Sequence, residues 1–250
     1  MKTNKENQID EDNLAPIILF VYNRLDLTQQ TINALKKNDL SNLSELFIFS
    51  DGPKNSSDES SVKAVRAMLV NITGFKEVYI FESDVNKGLA NSIILGVTNM
   101  FNSFDKVIVL EDDLYTTPNF LRFMNASLNE YESNETVYSI SGYSFNLGIE
   151  KERKFDTYFL NRGWSWGWAT WKNRWEKVDW EVKSYEYFRS NNKQRKKFAQ
   201  GGSDLNKMLD LQMKNKLDSW AIRWFYHQFL VQGLTVYPIY SKIYNHGFGV

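Results

Sequence analysis

Between residues 16 and 141 the chain alternates short apolar runs with segments whose apolar residues fall on one helical face. Pro16–Tyr22 (PIILFVY) is apolar throughout, as expected of a strand covered on both sides. Asp26 and Gln29 give a capping-box-like start to a helix through about Lys37. Leu46–Ser50 predicts a second strand, stopped by Asp51-Gly52-Pro53. Val62, Val65, Met68 and Leu69 draw a stripe along the next helix. Glu77–Phe81 is a third strand, Leu89–Phe101 a helix and Lys106–Leu110 a fourth strand. Thr117-Pro118 opens a helix to about Tyr131, with Pro at its first position, and Thr136–Ser141 is another strand. Alternation of this kind predicts an α/β fold: a largely parallel central sheet with right-handed crossovers, flanked by helices.

After residue 150 the texture changes. Thr157–Asn161 reads as a strand, and Gly163–Trp180 is dense in Trp. Helical spacing covers 183–199, 204–217 and 219–232, and Leu234–Ile239 is a last strand before the tail Tyr244–Val250. Trp168, Trp171 and Trp175 sit at the i, i+3, i+7 spacing of a helix packed into a core. The expected organisation is a polar, disordered leader over 1–14 and one domain over 15–250. Its halves, 15–141 and 142–250, share a core rather than folding apart.

Parallel sheets bind ligands at the carboxyl ends of their strands. Those ends carry Asn23-Arg24, Asp51-Gly52 and Glu111-Asp112-Asp113, so three strands deliver polar groups to one rim. Three carboxylates straight after the apolar run VIVL repel one another and demand a cation or hydrogen-bond donors. Hard oxygen ligands suit Mg²⁺ or Mn²⁺ shared with substrate phosphates; the plainer reading is a solvated acidic turn steadied by the following helix. Successive side chains on an extended chain point opposite ways, so the three acids are expected to have different partners.

Composition narrows the chemistry. The 250 residues allow one large domain or two small ones. Thirty Lys+Arg balance thirty Asp+Glu, leaving no basic field for nucleic acid. The absence of Cys excludes disulfides, thiolate zinc sites and Cys nucleophiles, and fits a reducing compartment. With His227 and His246 the only histidines, a three-His metal site cannot exist. The longest apolar run, Ala15–Tyr22, has eight residues against the ~20 that span a bilayer, and residues 1–13 lack a signal-peptide core. The expectation is a cytoplasmic protein, at most peripheral to a membrane. Lys193, Arg195, Lys196 and Lys197 form a small basic cluster that reads first as a solvated helix face. Aromatic content is 15%, more than an ordinary core needs, and six of the eight Trp lie within 164–180.

A strand followed by EDD, preceded by a strand followed by DG, resembles the nucleotide-sugar glycosyltransferases of the GT-A (Rossmann-like) fold. N-acetylglucosaminyltransferase I-like enzymes and bacterial family 2 transferases are the members it looks most like. VIVLEDDLYTTPNFLRFM is similar to their metal-binding strand and following helix. VYNR at 21–24, FSDGP at 49–53 and NKGLANSI at 86–93 match the nucleotide-binding stations in order and spacing. The resemblance covers about residues 15–245. It implies a nucleotide-binding first half and an acceptor-binding second half. It also implies a nucleotide-diphosphate sugar donor, Mn²⁺ or Mg²⁺, and a glycan or lipid-linked glycan acceptor, as in bacterial surface-polysaccharide synthesis. The sugar moved would be a hexose or N-acetylhexosamine.

Residue by residue, the resemblance places Arg24 near the phosphates and Asp51 on the base N–H. Asn86, Lys87, Gly88 and Asn91 would line the ribose and diphosphate. Asp112 would bind ribose or share the metal, Asp113 would ligate the metal, and Glu111 would touch the donor sugar. LDSWAIR (217–223) is similar to the family's acidic-x-Trp segment, which makes Asp218 the general base; it also sits where a helix N-cap is expected. WSWGWATWKNRW (164–175) looks like the acceptor-side segment, with Trp164 and Trp166 the candidates for stacking on sugar. The tail SKIYNHGFGV departs from the pattern: the family runs on through a Gly-rich stretch to a His, whereas this sequence stops at Val250, so either the sequence is cut short or its end differs, and a loop closing on the donor is expected to be absent from it. His246 is a candidate late contact to metal or phosphate.

Two rivals stand beside this reading. Gly163-Trp164-Ser165-Trp166-Gly167 fits the G-x-S-x-G elbow of serine hydrolases, and Asp218 and His246 would complete the chain order of a triad. Two flanking Trp would crowd that elbow, and no HGGG-type loop is present. The other rival is a non-catalytic sugar-binding module built on the Trp cluster.

Overall fold

The computed structural model describes residues 10–148 and 155–247. Residues 1–9 of the expected leader and 248–250 of the tail lie outside them; within the leader, Glu11–Asn13 forms a turn of 3₁₀ helix. The opening apolar run forms β1 (Ile17–Val21), buried at all five positions. It is followed by α1 (Leu25–Leu35), β2 (Glu45–Ser50), α2 (Glu59–Leu69), β3 (Glu77–Glu82) and α3 (Leu89–Met100). Then come β4 (Lys106–Glu111), β5 (Leu114–Thr116), α4 (Phe120–Glu130) and β6 (Val137–Ser141). The second half supplies β7 (Thr157–Leu160), β8 (Trp168–Trp171), α5 (Lys172–Trp175), α6 (Tyr185–Ser190) and α7 (Asn192–Phe198). It ends with α8 (Leu205–Met213), α9 (Trp220–Leu230), β9 (Leu234–Pro238) and β10 (Ile243–Asn245).

Eight strands make one sheet in the order β3-β2-β1-β4-β8-β6-β9-β7. The first four run parallel, as does the pair β6 and β9, whereas β8 enters antiparallel between β4 and β6 and β7 closes the far edge antiparallel. The two halves of the chain therefore share a sheet. From β1 the chain steps outward to β2 and β3, then returns past β1 to form β4. Strand order reverses between β1 and β4, which is where such sheets open a ligand crevice. Register levels the strand ends: Val21 lies opposite Ser50, and Phe20 opposite Glu111.

Both faces are covered. Ile18, Phe20, Phe47, Val107 and Val109 pack toward α3, α9 and the other helices of the second half. Ile17, Leu19, Val21, Leu46, Ile48, Ile108 and Leu110 pack toward α1, α2 and α4. This period-2 partition of a continuous apolar run is what burial on two sides requires.

Several expectations are corrected. Pro118 precedes α4 instead of opening it; Asn119 holds the N-cap position. The stretch 114–116, for which the sequence pattern predicts no element, forms β5 and pairs with β10. The helical pattern at 183–199 is split into α6 and α7, with Asn191 capping α7 through its side chain. In the basic cluster Arg195 is taken by Asp210 at 2.8 and 2.9 Å, leaving Lys193, Lys196 and Lys197 exposed.

The largest correction concerns the Trp-dense segment. Residues 168–171 are a buried strand, not a helix. A strand sends neighbours to opposite faces, so Trp168 joins the core beneath α9 while Trp171 joins the opposite one. The Trp168 ring centroid lies 4.4 Å from Trp224, 4.8 Å from Trp220 and 5.5 Å from Trp175. Trp175 donates from Nε1 to Thr98 Oγ1 at 3.0 Å, tying α5 to α3. The aromatic surplus is thus mostly a clamp that holds the helices of the second half to the sheet of the first.

Trp168→Ala should cost about 3–5 kcal/mol through the cavity it leaves, read as a lower urea midpoint with an unchanged m-value. A second outcome follows from His227, buried in α9 with Nε2 unpartnered and its basicity lowered by burial. The native state holds it neutral while the unfolded chain takes a proton near 6.5, so stability falls as pH drops below that value. The loss of urea midpoint between neutral pH and about pH 5 should be smaller in His227→Phe than in the unmodified protein.

Candidate active site

At the carboxyl end of β1, Tyr22, Asn23 and Arg24 lead into α1. Arg24 occupies the N-cap position, but its side chain does not cap the helix. Instead the guanidinium crosses the reversal point, bonding Asp112 through Nη2 and Asp113 Oδ2 through Nη1 at 3.1 Å. Thr28 fixes the backbone there by donating both N–H and Oγ1 to the Arg24 carbonyl, at 2.9 and 2.7 Å.

Beyond β4 the chain turns at once. Thr31 of α1 donates from Oγ1 to the Asp112 carbonyl at 2.9 Å and accepts from the Leu114 N–H at 3.1 Å. This pinned turn makes Asp112 and Asp113 converge on one cation. The expectation of three separate partners assumed an extended chain and is corrected on that point. The carboxyl of Glu111, the last residue of β4, makes no hydrogen bond among the described residues.

The acids are electrostatically strained. Burial, then the charges of Asp113 and Asp112, push Glu111 up to about 8 against the pull of Arg24. Burial also raises Asp112, although its hydrogen bond and charge contact with Arg24 pull it down. Asp112 is 3% exposed, and its Oδ2 has no hydrogen-bond partner. An orphaned carboxylate oxygen beside a second acid fits a divalent cation. Among the described residues no group of three acids or histidines converges, so the protein would supply two carboxylates and a substrate the remaining ligands, a common mode for Mg²⁺.

Asp51, at the end of β2, faces this pair across the cleft. Its carboxylate accepts from the N–H groups of Gly52 at 3.0 Å, Lys87 at 2.9 and 3.1 Å, and Gly88 at 3.1 Å. Asn86 donates from Nδ2 to the Gly52 carbonyl at 2.8 Å. The loop 86–88 is thereby folded onto the end of β2. Gly88, at φ 75°, begins α3 with no side-chain cap. The amino ends of α1 and α3 are thus both uncapped at the cleft, with the cations Arg24 and Lys54 in its lining. Such an arrangement attracts phosphate.

The cleft has a volume of about 270 Å³ and brings together Arg24, Asp51, Asn86, Gly88, Glu111 and Asp112 from the expected set. Lys87 lines an adjoining cavity of about 290 Å³ that shares Phe49, Asp51 and Ser92. Asn91 lines neither; it is exposed and donates to the Lys87 carbonyl at 3.1 Å. Sequence reasoning missed Tyr22, Lys54 and Ser92. Tyr22 was legible as the one polar-tipped residue of an otherwise apolar run, and Lys54 as a cation straight after Asp51-Gly52-Pro53. Ser92 carried no signal; its Oγ is buried without a partner.

The second half reaches the cleft at two places. Asp218 is exposed, with its Oδ2 about 3.4 Å from where a Cβ on Gly88 would stand. The N-cap role expected for it belongs to Ser219, whose Oγ accepts from the Ile222 N–H at 3.3 Å. The tail returns through the β5–β10 pair: the His246 N–H donates to the Asp113 carbonyl at 2.9 Å, and Gly247 lies against the Asp113 carboxylate with no room for a side chain. The His246 ring stacks on Tyr115 at 5.5 Å.

Trp164 and Trp166 lie elsewhere. Trp164 stacks on Tyr143 at 4.5 Å, beneath the Arg162 guanidinium. Trp166 meets Tyr143 edge-on at 5.0 Å and lines a groove of about 540 Å³ with Tyr143, Tyr240, Tyr244 and Asn245. None of the groove's described lining residues carries a formal charge. The hydrolase elbow is not present. Residues 163–167 join strand β7 to strand β8, where an elbow needs a helix after the turn, and Ser165 hydrogen-bonds to neither Asp218 nor His246.

A scan against protein-family models found no match, and a search of curated proteins found none. Among solved structures, the mannosyltransferase PcManGT from Pyrobaculum calidifontis, in complex with GDP-Man and Mn²⁺, aligns with 56% of this chain and 39% of its own at 13% identity and a TM-score of 0.36. TarS from S. aureus aligns with 56% of this chain and 23% of its own, at 13% identity and a TM-score of 0.37. Overlaps of this extent leave the chemistry of the site to its own geometry.

A Cβ on Gly52 would lie 2.5 Å from the backbone carbonyl carbon of Val85. Gly52→Ala must therefore displace the loop 85–88. The expected result is a loss of about 1–3 kcal/mol in urea denaturation, with faster amide exchange at Lys87 and Gly88.

Proposed function

We propose that the chain is an inverting glycosyltransferase that moves a sugar from a nucleotide-diphosphate sugar to a hydroxyl of a glycan or glycoconjugate. One observation carries the reading. Asp112, Asp113 and Arg24 meet at the reversal of strand order, opposite the loop gripped by Asp51, with the Asp218 carboxylate beside Gly88 of that loop.

In this reading the uncapped ends of α1 and α3, with Arg24 and Lys54, hold the diphosphate. Mn²⁺ or Mg²⁺ held by Asp113, with Asp112, would neutralise charge on the leaving group. Asp218 takes the proton of the acceptor hydroxyl as that oxygen bonds to the anomeric carbon. The bond from that carbon to the diphosphate oxygen breaks, the nucleoside diphosphate leaves with the electron pair, and configuration inverts. Glu111 lies beside the donor sugar. A base N–H on Asp51 would share oxygens that already serve backbone amides, so Asp51 acts on the nucleotide chiefly through the loop it holds.

The aromatic groove, uncharged among its described lining residues, suits sugar rings, whose apolar faces would stack on Trp166, Tyr240 and Tyr244. The acceptor in this reading is a glycan or lipid-linked glycan, and the proposed setting is bacterial surface-polysaccharide assembly. No described helix is long and apolar enough to cross a membrane.

Thermal unfolding with UDP, GDP or dTDP, with and without Mn²⁺, tests the donor site. One nucleotide should stabilise by ~2.7 kcal/mol at a hundred times its dissociation constant, and more weakly without the metal. A response to sugars alone would favour the non-catalytic module. Asp218→Asn should lower turnover by at least about 10² while leaving nucleotide-sugar affinity nearly unchanged; wild-type turnover in that variant would remove Asp218 from the mechanism.

A further inference from the structure

Arg66 projects from α2 toward the ends of β2 and β3, on the side away from the cleft. Its Nη2 reaches three carbonyls that belong to different stretches of chain: Ser83 at 2.7 Å, Asp51 at 3.2 Å and Ser50 at 3.4 Å. Nε donates to Ser50 Oγ at 3.1 Å, and Nη1 pairs with Glu82 at 3.2 Å. Four of these five contacts go to uncharged oxygens, so the group is placed for geometry more than for its ion pair, whose Glu82 side chain is 45% exposed and contributes little.

The consequence lies on the other side of the strand ends. Ser50 and Asp51 close β2, and Ser83 follows β3, where β2 and β3 stop being held together by their own ladder. The Ser83 N–H to Ser50 carbonyl bond, 2.9 Å, is the final link, and Arg66 caps the carbonyls around it. Asp51 then grips Lys87 and Gly88 by their N–H groups. Loop 86–88 therefore has its place set by Asp51, whose own backbone is held from two sides: its N–H donates to the Val21 carbonyl at 3.1 Å and its carbonyl accepts from Arg66. Arg66 makes no contact with the cleft lining beyond the backbone of Asp51, and it is reached from a separate surface cavity of about 460 Å³ beside Pro53 and Glu82.

We propose that Arg66 is a positioning residue for the nucleotide, holding the Asp51 carboxylate and through it the 86–88 loop. The proposal rests on the donor-site reading above. A guanidinium fan is needed because one planar group must satisfy acceptors on two strand ends at once; the point charge of Lys cannot.

The test uses the full chain with Arg66→Ala and Arg66→Lys. Amide exchange at Lys87 and Gly88 should quicken in both, more in Arg66→Ala, while Val107–Leu110 keeps its protection. Donor KM should rise about tenfold with kcat within about twofold, the signature of lost binding without lost chemistry. Guanidinium ion at low millimolar concentration, entering by the cavity beside Pro53, should restore part of the KM in Arg66→Ala. Unchanged exchange at Lys87 and Gly88 would overturn the proposal, as would a fall in kcat matching the rise in KM with exchange quickened throughout β4. Failure of the unmodified protein to bind any nucleotide would instead strike the donor reading, and the exchange data would still decide whether Arg66 holds the loop.

Discussion

The pairing of Arg24 with Asp112 and Asp113 is the interaction on which the site depends. A buried parallel strand that ends in three carboxylates is not stable by itself, because like charges in a poorly solvated place raise one another's proton affinity. One guanidinium answers two of the three, and it can do so only because β1 and β4 are neighbours with their ends level. Strand order, register and the pinned turn at Thr31 all serve that meeting. What stays unanswered, the Asp112 Oδ2 and the Glu111 carboxyl, faces the cleft. The Asp112 oxygen is thus left to meet a cation that a phosphate-bearing ligand brings with it.

The second half of the chain fixes the first in place. Strand β8 sits against β4 over Lys106–Val109, with Trp171 opposite Lys106 and Trp168 opposite Val109. It seats two indoles on opposite faces of the sheet. The ring cluster around Trp168 carries α9, and the segment just ahead of α9 carries Asp218 to Gly88. A core element therefore sets the reach of a surface carboxylate. This explains why so many large aromatic rings lie far from any groove: they hold the geometry of a residue they do not touch.

Much of this was legible in the sequence, for physical reasons. The runs PIILFV and VIVL are apolar at every position, as burial on both faces requires, and they point to a parallel sheet with its rim of polar ends. Arg24, Asp51 and the acidic triplet follow from that rim. The Trp segment misled because Trp168 and Trp171 are three apart, a spacing that suits a helix and also suits a strand buried on two sides. Composition cannot separate the two; only the neighbours β4 and β6 do. Pairing of β5 with β10 joins residues more than 120 positions apart, and no local pattern announces it. Arg66 was invisible for the same reason, since a lone cation on an amphipathic helix says nothing about which carbonyls it will meet.

The β5–β10 ladder also orders events in time. Residues 114–116 leave the ribosome long before residues 243–245, yet the two pair, and Gly247 then packs on Asp113. A nascent chain can build β1 to β4 and their helices early, as domains do during synthesis. It cannot enclose Asp113 until the tail has emerged. During that interval the acidic turn is open to solvent on one side, and the centre is finished only when the chain's two distant segments meet.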